Sequence, residues 1–131
     1  MTTPQPATAA TRPHPAFSAL VGLTSLGVLL QGLWAGLFMG TDDGSTWVSV
    51  HQHGGEVTVV LALLATVAAV VLVRHRRAVV IATAVLFLAL VVEYFLGYFA
   101  EDARGNLVVH VPLAMLLMGL AVYLPVLARR G

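Results

Sequence analysis

Cysteine is absent from the 131 residues, and so is lysine. The first absence excludes disulfides, thiolate metal sites and cysteine nucleophiles. The second leaves arginine as the only permanent side-chain cation. Charge of either sign is scarce, at 10% of residues with a formal net charge of +1, so the chain lacks the basic footprint that nucleic acid requires. No zinc-type motif, nucleophile elbow or phosphate loop is present. What the chain does have is apolar residues, 59% of the total, and a mean hydropathy of +0.91. A soluble domain of this size needs a polar shell that such a composition cannot supply, so most side chains must face lipid or one another. The length fits one compact membrane unit. An arginine-only basic set beside abundant Ala, Val and Leu points to a GC-rich bacterial genome, and so to a bacterial plasma membrane.

Residues 1–15 are rich in Thr, Pro and Ala and end in Arg12-Pro13-His14-Pro15. The prolines block helix and the remainder cannot build a core, which predicts a disordered cytoplasmic tail. Four apolar runs follow, at about 16–39, 48–73, 78–100 and 107–128. At about 1.5 Å per residue each is long enough to cross roughly 30 Å of hydrocarbon. The first run is far longer than the 7–15-residue core of a secretory signal and has no small-x-small cleavage site, so it reads as a span. The predicted fold is all-α, a four-transmembrane-helix bundle.

The arginines set the expected orientation. Arg12 lies in the tail, Arg74, Arg76 and Arg77 between the second and third runs, and Arg129 and Arg130 at the end of the chain. The other two turns hold Asp42, Asp43, Glu101 and Asp102 against Arg104 alone. By the positive-inside rule both termini are cytoplasmic, and Trp47, Tyr98 and Phe99 fall in an outer aromatic belt. The two hairpins also resemble each other. Gly32-Leu33-Trp34-Ala35-Gly36-Leu37-Phe38 leads through an acidic turn to Val50-His51, and Glu93-Tyr94-Phe95-Leu96-Gly97-Tyr98-Phe99 leads through another to Val109-His110. This is the pattern of a parallel repeat about an axis along the membrane normal.

Ionisable residues are costly inside a membrane, so their placement carries information. Counting about 1.5 Å per residue from the outer helix ends, His51 and His110 each lie roughly 5 Å down, with His53 a layer deeper. Gln31, Glu56 and Glu93 lie roughly 10–12 Å deep. The inner halves hold only small hydroxyls such as Ser18, Thr24, Ser25, Thr66 and Thr83. The polar groups therefore form one outer cluster. Two histidines at matched depth on alternate helices can clamp a haem iron from both sides. Arg104 is placed to meet a haem propionate, and Gly32, Gly36, Gly54, Gly55, Gly97 and Ala114 to give a flat macrocycle room. The bland readings are also open: interfacial histidines, a Gly32-x-x-x-Gly36 packing groove, a Glu hydrogen-bonded to Gln31, and a bend at Pro112. Glu56, three residues after His53, can share its helix face and relay a proton or fix a tautomer.

At these residues the chain resembles a family. Val109-His110-Val111-Pro112-Leu113-Ala114 looks like the His-x-x-x-Ala helix of haem A synthases, and His51-Gln52-His53-Gly54-Gly55 resembles their other ligand helix. Leu30-Gln31-Gly32 and Glu93-Tyr94-Phe95-Leu96-Gly97 are similar to the pattern on their odd-numbered helices. Those enzymes fuse two four-helix halves, and this chain is similar to one half over nearly all of residues 16–128. The resemblance implies one b-type haem ligated by His51 and His110, with His53 the alternative to His51. The family's longer first outer loop with its cysteine pair is missing, and Glu56 follows the histidine where the family's catalytic Glu precedes it. Haem A synthesis therefore does not carry over.

Three functions compete on this basis. The first is a small haem-b membrane protein for electron transfer or haem handling, working with a redox partner or a larger membrane complex. The second is a non-catalytic membrane subunit or scaffold without cofactor. The third is a proton-coupled carrier using Glu56 and Glu93, against which the lack of a broken helix at the midplane argues.

Overall fold

A computed structural model of the protein describes residues 14–100 and 103–130. Residues 1–13 of the expected tail, Arg12 among them, and Glu101 and Asp102 of the second acidic turn lie outside the described residues. Four helices follow in order: α1 (Pro15–Gly40), α2 (Gly44–Leu72), α3 (Arg77–Tyr98) and α4 (Leu107–Arg129), the last entered through a short 3-10 turn at Arg104–Asn106. Each is long and apolar enough to cross a membrane. The chain is a multi-pass integral membrane protein folded as an all-α four-helix bundle. In the bundle α1 packs beside α2 and α4, and α3 beside the same two, which leaves α2 and α4 on a diagonal.

The buried residues form one seam per helix, spaced alternately three and four apart. These are Phe17, Val21, Thr24 and Val28 on α1, and Thr58, Ala62, Ala65 and Ala69 on α2, where Ala68 is buried beside them. On α3 they are Val79, Thr83, Leu86, Leu90 and Glu93, and on α4 Leu117, Ala121, Leu124 and Ala128. That spacing keeps a single stripe facing the neighbours as helices cross at small angles. Lipid tails are as apolar as leucine, so small seam residues and close backbone approach drive association here. Gly27 of α1 meets Thr58 of α2, where an added Cβ would stand 2.5 Å from Thr58 Oγ1. Leucines such as Leu23, Leu29 and Leu33 are half-exposed and face outward.

The seams make the internal repeat explicit. The first four α3 seam positions each lie 62 residues beyond one on α1, from Phe17 and Val79 onward. Every α4 position lies 59 beyond one on α2, from Thr58 and Leu117 onward. Extended outward, this register pairs Gln31 with Glu93 and His51 with His110. It shifts by one residue the match drawn from glycines, which set Gly32 against Glu93. Gly32 and Gly36 stand off the seam with open space where a Cβ would be, so they form no packing groove within the chain.

Two polar contacts between helices satisfy backbone groups that sequence alone leaves orphaned. Pro125 lies within α4 and has no N–H to offer the carbonyl of Ala121 four residues earlier. Ser25 Oγ on α1 donates to that carbonyl at 2.7 Å. At the arginine-rich end, the Arg76 guanidinium donates to the carbonyls of Leu127 (2.9 Å) and Ala128 in the last turn of α4. A cation there satisfies free carbonyls and complements the helix dipole. Ser25→Ala is expected to leave the Ala121 carbonyl unpaired in hydrocarbon and to destabilise the bundle by about 1–3 kcal/mol. A thermal melt in detergent reads this, and an unchanged midpoint would remove the role given to Ser25.

Candidate functional site

The polar residues of the acidic end sit on the same seams as the core. Helix α2 starts at Gly44, four residues before the expected boundary, because glycine is tolerated at a helix start and Ser45 and Thr46 fit the first turn, whose N–H groups need no intrahelical partner. His51 therefore lies about 10 Å along α2, and the first hairpin is about one turn longer than the second. The depths counted from helix ends change, yet the two histidines stay equivalent, because each is held by the equivalent residue of the preceding helix.

His51 Nδ1 lies 3.2 Å from the backbone carbonyl of Gln31 on α1. His110 Nδ1 lies 3.2 Å from the backbone carbonyl of Glu93 on α3. A carbonyl can only accept, so in each ring Nδ1 carries the hydrogen and donates it. In the neutral imidazole Nε2 is then left with a lone pair. Among the described residues neither Nε2 has a hydrogen-bond partner. The edge of Phe38 packs on His51, with ring centroids 5.5 Å apart.

Glu93 adds a second contact to His110. Its Oε1 is 3.1 Å from the same Nδ1, but one ring N–H cannot serve both oxygens fully, and the carbonyl has the better alignment. Both carboxyl oxygens of Glu93 and the amide nitrogen of Gln31 are consequently buried with no hydrogen-bond partner among the described residues. Buried polar atoms in this state are rare and call for a reason. Around them all four helices follow one rule: the seam residue four positions after the polar one is small. Gln31 is followed by Ala35, His51 by Gly55, Glu93 by Gly97 and His110 by Ala114. Gly97 is the tightest of these, since a Cβ there would stand 3.0 Å from His110 Cε1.

No known protein family, curated protein or solved structure matches the chain.

The structure thus brings Gln31, His51, Glu93 and His110 together and places the other candidates apart. His53 is exposed on another face of α2, with Nδ1 2.8 Å from the Ser49 carbonyl of its own helix. It lines an outward groove of about 520 Å³ between α1 and α2, where Trp34 lies over Gly54. Gly54 is covered by the protein's own indole and leaves no space for a ligand. Glu56 faces the α2–α3 crevice and accepts from Tyr94 Oη at 3.1 Å, so it shares no face with His53. Arg104 is exposed in the 3-10 turn. Among the described residues no three His, Cys, Asp or Glu side chains converge as a metal-ion cage. What the site offers is two imidazoles on the diagonal helices, each with Nδ1 engaged by a backbone carbonyl and Nε2 unpartnered among the described residues.

Proposed function

We propose that this protein holds one b-type haem between His51 and His110 and uses it for electron transfer or haem handling. The observation that carries the reading is the matched fixing of two diagonal imidazoles. Each Nδ1–H is given to a backbone carbonyl, and each Nε2 is left free with a lone pair. Metal-binding histidines are held in this way, because the outer hydrogen bond sets the tautomer and the ring orientation. The Glu93 carboxyl also lies beside Nδ1 of His110, with Oε1 at 3.1 Å, and would stabilise the ring's N–H side. The residues one turn further along each helix, Ala35, Gly55, Gly97 and Ala114, are small, although the His110 ring itself lies against Gly97. When bound, the haem supplies one-electron redox chemistry. The residues of the chain orient it and keep water from its faces.

The resemblance of helices α2 and α4 to one half of a haem A synthase supports the same reading. The arginine distribution also favours the histidine end facing outward and both termini facing the cytoplasm, an orientation that would suit a site at the outer face of a bacterial plasma membrane. A scaffold role without cofactor competes. It accounts for the packed seam, but it leaves Gln31 Nε2 and the Glu93 carboxyl without purpose. The deciding experiment is a reduced-minus-oxidised difference spectrum of the protein purified in detergent from a haem-replete host. Soret and α-bands at near-stoichiometric haem are expected, and a featureless spectrum would overturn the proposal in favour of the scaffold.

A further inference from the structure

The opposite end of the bundle gathers its charge from two remote segments. Arg74, Arg76 and Arg77 stand on the α2–α3 turn, and Arg129 and Arg130 stand at the end of α4. The hydrogen bonds from Arg76 to the carbonyls of Leu127 and Ala128 tie the two segments together. Arg76 is thereby engaged as the cap of α4. The other four arginines are exposed and, among the described residues, have no hydrogen-bond or ion-pair partner. No described carboxylate stands near them, since Asp42, Asp43, Glu56 and Glu93 all lie in the other half. Next to this cationic rim the wall of the bundle is apolar and outward-facing, with Val71 at 65% exposure and Leu72 and Val126 also open.

We infer that this end is a binding site for an anionic phospholipid, whose phosphate bridges the α2–α3 turn and the end of α4 while an acyl chain lies along Val71, Leu72 or Val126. The occupant is a lipid because the guanidinia stand at the ends of spanning helices, level with headgroups, above a surface that only hydrocarbon covers. Arginine matches a phosphate with paired N–H donors, which a diffuse positive potential does not. Arg76 keeps the two halves of the site together, so the site depends on the folded bundle and does not arise from a flexible basic tail. The inference is independent of the haem reading.

Mass spectrometry of the intact protein released from maltoside detergent tests it, with phosphatidylglycerol, cardiolipin, phosphatidylcholine or inorganic phosphate added. Retention of the two anionic lipids over phosphatidylcholine is expected. Arg74→Gln with Arg77→Gln, and separately Arg129→Gln with Arg130→Gln, should each weaken phosphatidylglycerol binding by about fivefold for each arginine removed. Anionic lipid should raise the melting temperature of the wild type and not of either double variant. If a double variant is not recovered folded, Arg77→Gln alone, on an exposed side chain, carries the same comparison. Equal retention of phosphatidylcholine, wild-type affinity in the variants, or displacement of the lipid by inorganic phosphate would each overturn the proposal.

Discussion

Replacing His110 with alanine is expected to abolish the haem spectrum of the purified protein, and His51→Ala to do the same. On the proposed bis-histidine site each substitution would remove one of the two ligands, and a haem held from one side only would be lost from the protein on purification. The fold should survive, because the Glu93 carbonyl that receives His110 Nδ1 at 3.2 Å lies within helix α3. The lost side-chain bond is worth about 0.5–1.5 kcal/mol. Circular dichroism therefore separates loss of cofactor from loss of structure. His53→Ala is the informative companion. Its imidazole is bonded to Ser49 of its own helix and faces the groove beside Trp34, so its removal should leave the bands in place. A His110→Ala protein that keeps full Soret absorbance would show that α4 supplies no ligand. Loss of the bands in His53→Ala with retention in His51→Ala would move the ligand by two residues and contradict the seam register.

The spans and the matched histidines were legible in the sequence, because membrane length and the cost of intramembrane polar groups both act on single residues. The direction each side chain faces was much less so. In a soluble helix the polar face marks the outside, but here Leu23, Leu29 and Val71 on the lipid side are as apolar as Val21 and Val28 in the seam. Hydropathy then carries no phase information. This is why Gly32 and Gly36 stood out as a packing motif, while the glycines in close contact with side chains of other helices are Gly27, Gly54 and Gly97. Only the three-and-four spacing of the seam holds the phase, and it becomes visible once Phe17, Val79, Thr58 and Leu117 fix its start. His53 and Glu56 were misleading for the same reason: polarity and depth suit them to a site, but neither is on the seam. The partnership of Ser25 with the carbonyl left open by Pro125 had a local signal in the proline, though nothing in the sequence named its partner on another helix.

Gly27→Ala should destabilise the protein by about 1–3 kcal/mol, the usual range for overpacking a tight contact, and Thr58→Ala should recover most of that loss. A Cβ on residue 27 would stand 2.5 Å from Thr58 Oγ1, 3.1 Å from its Cγ2 and 3.3 Å from its Cβ. Thr58 cannot simply turn aside. Its hydroxyl donates to the Gly54 carbonyl at 2.7 Å, it is 2% exposed, and its other branch is a methyl that a rotation would carry into the same space. The helices must part instead, which loosens the close approach of α1 and α2 through which Gln31 reaches His51. Thr58→Ala alone removes Oγ1 and Cγ2, the two closest of these atoms, and leaves a small void, at a cost of about 1 kcal/mol. In the double variant the new methyl occupies the vacated space. Melting of the four proteins in one detergent should therefore give a coupling of about 1 kcal/mol or more in the favourable direction. Additive losses would mean that α1 and α2 do not meet at Gly27 and Thr58. The α1–α2 register, and with it the pairing of Gln31 with His51, would then need redrawing.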